Sequence, residues 1–256
     1  MVAYDGTNYC GWQVQPNGNT IQAELTAALE QLLRHRVSLI GASRTDSGVH
    51  ARGNVCVFDT TVRMPAEKMS YALNTYLPPD IRIQDSCEVP LTFHPRFCRT
   101  VKTYEYRILN RRFADPCQRL YSYFCYRPLN VEAMREAAGY LTGTHDFTSF
   151  CTHKPDVTDH VRTIMDFSIL EEDGLITLRI TGNGFLYNMV RIIAGTLIRV
   201  GIGDFEPSYV KEALEARDRE MAGETARPEG LTLIRIEYPD GYGSPDPGSR
   251  EAWGET

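Results

Sequence analysis

The chain has 256 residues, 42% of them hydrophobic and 23% charged, the make-up of a globular protein of one large or two small domains. A net charge of -6 counts against nucleic-acid binding by bulk charge, and seven scattered cysteines without a C-x-x-C argue against a disulfide framework or a zinc ribbon. No charged leader precedes an apolar run, and the longest apolar stretch, residues 185–200, is broken by Asn188 and Arg191 and is too short to span a bilayer. The expectation is a cytoplasmic protein with no membrane partner.

The first half reads strand, helix, strand, strand, helix, strand. Residues 1–5 form a short strand. Thr20 caps a helix whose apolar positions Ile21, Leu25, Ala28, Leu29 and Leu32 fall on one face. Strands follow at 37–40 and, from its alternation, at 54–59. Pro65 opens a helix that ends before Pro78 and Pro79, and 81–89 closes the half. The second half repeats the order. Residues 102–109 alternate as a strand, with a strand addition at 120–126. Asn130 caps a helix through Leu141, and 143–160 is a loop. A hairpin joins 161–170 to 175–181 across "EEDG". A buried helix spans 185–200, a surface helix 207–216, and a last strand 231–238. Each half therefore matches β-α-β-β-α-β, the ferredoxin-like order, in an α+β protein. The halves are expected at 1–92 and 93–240, with a disordered tail at 241–256. Two such halves can join mixed, mainly antiparallel sheets around a central cleft, a favoured place for a ligand.

Three groups of residues call for an explanation. "GASRTDSGVH" places Arg44, Asp46 and His50 in a glycine-flanked turn ahead of a strand. A carboxylate beside a cation there could act as nucleophile or base, although Asp-Ser-Gly is also ordinary turn chemistry. Arg191 lies among Met189, Val190, Ile192 and Ile193. A buried arginine needs a partner, so it has a carboxylate, faces a polar cleft, or snorkels out. Between residues 93 and 127, Arg96, Arg99, Lys102, Arg107, Arg111, Arg112, Arg119 and Arg127 are opposed only by Glu105 and Asp115. Such a stripe can bind phosphate on an acidic protein, or simply solvate strand faces. On it Lys102, Tyr104 and Tyr106 share one strand face, where a tyrosine can stack an unpaired base or pack in the core. Cys151, His153 and His160 fit no zinc spacing, and "GNG" at 182–184 lacks the third glycine of a dinucleotide fingerprint.

Taken together, several stretches resemble the TruA-type tRNA pseudouridine synthases. They are "YDGTNYCGWQVQ" at 4–15, "TIQAELTAAL" at 20–29, "RTDSGVHA" at 44–51, "FHPRF" and "KTYEY" within 93–106, "HDFTSF" at 145–150, "NGFLYNMVR" at 183–191 and "EGLTLIRIEYP" at 229–239. The resemblance covers the chain to about residue 240 and implies the pseudouridine synthase fold. It implies that Asp46 is the essential carboxylate and that Arg44 helps flip the target nucleotide and hold the RNA. Tyr104 would stack on the base and Arg191 would pair with the carboxylate, while Lys102 and Arg96 join the substrate-binding set. It further implies isomerisation of uridine to pseudouridine at positions 38, 39 and 40 of the tRNA anticodon stem-loop, no cofactor or metal, and a homodimer. The N1–C1′ bond breaks, the uracil turns, and C5 bonds to C1′. The aspartate attacks sugar or base, or removes a ribose proton. Ser43 departs from the family pattern, which has Gly there. So do Gly182 and Gly184, where Ala is usual, and these are expected to loosen the start of the Arg191 helix.

Two rival readings come from other classes. A non-catalytic RNA-binding protein would keep the fold and the basic stripe but would not need the carboxylate. A hydrolase acting through "DSG" would need a second such aspartate, and the chain has one D-[ST]-G.

Overall fold

The computed structural model describes residues 1–16, 18–153 and 157–242. Of the tail expected at 241–256, residues 243–256 lie outside them. The protein is α+β and divides into two compact units, one made of Met1–Val101 with the segment from Leu233 on, the other of Lys102–Thr232.

The first unit holds β1 (Val2–Tyr4), α1 (Ile21–Leu33), β2 (Ile40–Gly41), β3 (His50–Asn54), β4 (Cys56–Val57), α2 (Ala66–Leu73) and β5 (Ile81–Ile83). It also takes most of the last strand, β11 (Leu231–Glu237). Its sheet runs β5-β1-β3-β11, with β2 and β4 paired separately. Strand β1 is antiparallel to both neighbours, with Val2 opposite Ile83 and Asn54. The β5-β1-β3 order is that of the first, third and fourth strands of a ferredoxin-like half, and β11 holds the place beside β3 that a second strand would take. A Cβ on Gly53 would sit 2.8 Å from the Ile234 carbonyl oxygen, so the glycine is what lets β11 approach. Helix α1 starts at the expected cap, where the Thr20 hydroxyl accepts from the Ala23 N–H at 3.3 Å. It buries Ile21, Leu25, Ala28, Leu29 and Leu33; Leu32 is only half-buried. The strand expected at 54–59 lies earlier, at His50–Asn54, because this stretch pairs with β1 while only Cys56 and Val57 pair with β2. Strand β5 stops at Ile83, well short of residue 89.

The second unit holds β6 (Val101–Asn110), β7 (Tyr123–Cys125), α3 (Val131–Gly139), β8 (Gly143–Asp146), β9 (Val161–Glu172), β10 (Leu175–Gly182), α4 (Met189–Ile202) and α5 (Tyr209–Ala216). Its sheet runs β6-β10-β9-β8, and β7 lies parallel to β6. Tyr106, Ile108, Ile176, Leu178 and Ile180 on one face are fully buried, as are Met134 of α3 and Ile192, Ile193 and Leu197 of α4. Three expectations need correction. Residues 143–146 are an edge strand rather than loop; their polar sequence carries no alternation, and pairing with β9 alone orders them. The buried helix begins at Met189, since Asn188 adopts a left-handed φ of 62° that no helix continues through. Gly182 ends β10, where a Cβ would lie 2.7 Å from the Thr163 carbonyl oxygen; it tightens that pairing and does not loosen α4.

Candidate active site

The loop between β2 and β3 carries "RTDSG". Its residues alternate in burial. Ser43 and Thr45 are buried, Arg44 is exposed and Asp46 is half-buried. The cause is a set of hydrogen bonds from residues 4–12. The Thr45 hydroxyl meets the Tyr4 hydroxyl at 2.8 Å, and the Trp12 N–H donates to the Thr45 carbonyl at 3.0 Å. The Tyr9 carbonyl accepts from the Gly48 N–H and the Ser47 hydroxyl, both at 3.2 Å. The turn closes through the Val49 N–H on the Asp46 carbonyl at 3.1 Å, with Gly48 at φ 77°. Tyr9 is itself held by its hydroxyl donating to Asp80 at 2.7 Å. Burial first, and then Asp80, push that phenol well above its ordinary range, so it stays a neutral donor. His50 lies behind the loop, 4% exposed, its Nδ1 3.1 Å from both the Gly6 N–H and Asp5 Oδ1. It braces the end of β1.

Arg96 belongs to the same unit. The "FHPRF" turn stacks His94 on Phe97 at 3.9 Å and sets the Arg96 guanidinium 6.0 Å from the Phe97 ring centroid. Burial first, and then the like charge of Arg44, push Arg96 below the ordinary arginine range. Arg44 thus lies within electrostatic reach of Arg96.

The remaining predicted residues lie in the second unit. Lys102 and Tyr104 share a face of β6, as expected from K-x-Y-x-Y. Tyr104 is buried at 7% exposure, edge-on to Phe185 with centroids 5.2 Å apart. Tyr106 is fully buried and donates to the Arg227 carbonyl at 2.9 Å. Arg191 sits in the first turn of α4, half-buried. Its Nε donates to the Ala226 carbonyl at 2.8 Å and its Nη1 to Asn188 Oδ1 at 3.0 Å, while the Ala226 N–H returns to the Arg191 carbonyl at 3.1 Å. These two acceptors help fix the plane of the guanidinium. Among the described residues, no three His, Cys, Asp or Glu gather as a metal site, and no helix is long and apolar enough to cross a membrane.

Sequence reasoning singled out Arg44 and Asp46 but missed the polar side chains that hydrogen-bond the residues beside them. The signal was present, in polar residues at the alternate positions Ser43 and Thr45 just ahead of a strand that closes on a polar residue, Asn54.

Comparisons with known proteins place the chain in one family. The family model described as tRNA pseudouridine synthase matches residues 1–98 and 137–239. The chain is 50% identical over 238 residues to a tRNA pseudouridine synthase A of Exiguobacterium sp., covering 93% of this chain and 96% of the relative. It is 48% identical over 238 residues to the protein of the same name from Thermoanaerobacter sp. (93% and 98%), and 49% identical over 240 residues to that of Bacillus subtilis (93% and 97%). With the matched segments taking in both the "RTDSG" loop and the Arg191 helix, the chain belongs to the tRNA pseudouridine synthase family.

Proposed function

We propose that this enzyme, an isomerase converting uridine to pseudouridine in tRNA, works through Asp46 on positions 38, 39 and 40 of the anticodon stem-loop. The observation that carries the reading is the loop's alternation. Thr45 is pinned inward, while Arg44 and Asp46 face the other way, one exposed and one half-buried. A base must leave its stack for this chemistry, at a cost of a few kcal/mol, roughly. In this reading Arg44 and Arg96 hold backbone phosphate around the extruded nucleotide, and their mutual repulsion supports that role. Lys102 adds a further cation. Tyr104 as the stacking ring and Arg191 as the partner of the carboxylate rest on the resemblance of "KTYEY" and "NGFLYNMVR". The homodimer rests on the resemblance too. Cytoplasmic location is supported by seven free cysteines.

The test is pseudouridine formation on an unmodified tRNA transcript bearing uridines at 38 to 40, wild type beside Asp46→Asn. The wild type converts these uridines. The variant binds the tRNA but turns over at less than about a thousandth of the rate. Turnover by the variant near the wild-type rate would remove Asp46 from the mechanism, and product at other positions would move the target.

A further inference from the structure

We infer that Tyr4, Thr45 and Asn54 are positioning residues for the reaction, a buried hydrogen-bond chain that sets which way Arg44 and Asp46 face. The inference rests on the reading of Asp46 as the working carboxylate. Asn54 ends β3 and is fully buried. Its Nδ2 donates to the Ser43 carbonyl at 3.0 Å and to the Tyr4 hydroxyl at 3.1 Å, and its Oδ1 accepts from the Val55 N–H at 2.9 Å. The Val55 contact fixes which end of the amide is oxygen, because a flipped amide would set two N–H groups against each other. Tyr4, 4% exposed on β1, passes the chain on to the Thr45 hydroxyl at 2.8 Å. One amide and one phenol thus grip the loop at both residues flanking Arg44, and the second of these also immediately precedes Asp46.

Grip at alternate positions is what makes this more than core packing. Apolar contact is non-directional and would tolerate a rotation of the loop. Hydrogen bonds to Ser43 and Thr45 require distance and angle together, so they fix the rotation of the backbone between them. Tyr4, Ser43, Thr45 and Asn54 are each no more than 7% exposed, where water cannot readily substitute for a lost partner. The groups that face substrate are charged, while those that hold them are neutral. They therefore set position without altering the charge presented to RNA.

The experiment uses the full chain and measures single-turnover pseudouridine formation at saturating tRNA, tRNA affinity and melting temperature. The variants are Tyr4→Phe, Thr45→Val, Thr45→Ser and Asp46→Asn. Tyr4→Phe and Thr45→Val should slow the chemical step by about 10- to 100-fold, the penalty of a slightly misplaced reacting group. Their tRNA affinity should stay within about twofold of wild type. Thr45→Ser keeps the hydroxyl and should stay within about threefold of the wild-type rate. Wild-type rates in Tyr4→Phe and Thr45→Val would overturn the inference. So would a Thr45→Ser as slow as Thr45→Val, since the methyl group would then be what counts, or a rate loss that vanishes once corrected for the folded fraction. If Thr45→Val does not fold, Tyr4→Phe beside Thr45→Ser decides by the same criteria. An active Asp46→Asn would bring down the reading of Asp46. An inactive Asp46→Asn beside normal Tyr4→Phe and Thr45→Val would bring down the positioning chain alone.

Discussion

The "RTDSG" loop of the first unit and the outer face of the β6–β10 sheet in the second both gather charge, and they treat it in opposite ways. In the loop, neutral groups hold the backbone, with Arg44 exposed and Asp46 half-buried. On the sheet face, the charges hold one another. Arg179 stands opposite Glu105 in the ladder and donates to it from Nε at 2.9 Å and again from Nη2, and Arg107 adds a longer contact at 3.4 Å. Glu105 is buried, and the groove of about 400 Å³ beside it is lined by both signs of charge. Further along, Arg111 donates to the Asp173 carbonyl, Arg127 reaches Asp204, and Arg112 lies over Phe113. Much of the basic stripe visible in the sequence is thus committed to structure, and a charge count cannot tell such arginines from ones that meet a ligand.

Gly11→Ala breaks the first arrangement most directly. Gly11 has φ 90°, and a Cβ there would lie 2.6 Å from the Thr45 carbonyl oxygen. That atom accepts from Trp12, so the backbone of the loop would have to move. The expected result is a stability loss of about 1–3 kcal/mol together with a slower chemical step. Urea denaturation and single-turnover assays would show both effects, and a full-rate variant would mean that the loop tolerates displacement.

Glu105→Gln sharpens the contrast from the other side. It removes the charge between Arg107 and Arg179 while keeping the shape. The expected loss is about 1–2 kcal/mol, toward the low side because Arg179 is half exposed to solvent. The rate on tRNA should not change. A slower rate at unchanged stability would show that the sheet face takes part in the reaction.

Much of the fold was legible locally. Thr20 and the apolar spacing after it mark α1 at its true start. "EEDG" marks the β9–β10 hairpin, where Asp173 and Gly174 both take the positive φ of a two-residue turn. What the sequence hid was long-range pairing. Strand β8 exists only because β9 is beside it, and β11 lies beside β3, more than 170 residues earlier, a partnership no local pattern records. At the site, charge against an apolar background drew the eye to Asp46 and Arg191. Tyr4, Thr45 and Asn54 are neutral residues of ordinary types, and only their mutual distances set them apart. For Arg191, the apolar surroundings called for a polar partner, and part of its bonding goes to the Ala226 backbone carbonyl and to Asn188 at the helix cap, neither of which the local pattern marks.

Asp146 combines both devices in one place and can weigh them. It ends β8, where its Oδ1 accepts from the Thr148 hydroxyl at 2.6 Å and the Thr148 N–H at 3.0 Å, while Oδ2 lies 3.3 Å from Arg217 Nε. Burial pushes its carboxyl up, but the Thr148 bonds and then Arg217 outweigh it and hold the group below its ordinary value. A depressed carboxyl stabilises the fold above its unfolded pKa of about 3.9, and that stability is lost as pH falls through the lower folded value. Asp146→Asn should therefore cost about 1 kcal/mol at neutral pH, with its melting curve converging on wild type below about pH 4. Thr148→Val should remove more of this acid-sensitive stability than Arg217→Ala, because Arg217 is 67% exposed and its attraction is screened by water. Melting temperature against pH for the three variants checks the order. If Arg217→Ala had the larger effect, exposed charge rather than short neutral hydrogen bonds would be what fixes a carboxylate in this protein, and the account of the loop around Asp46 would lose its nearest parallel.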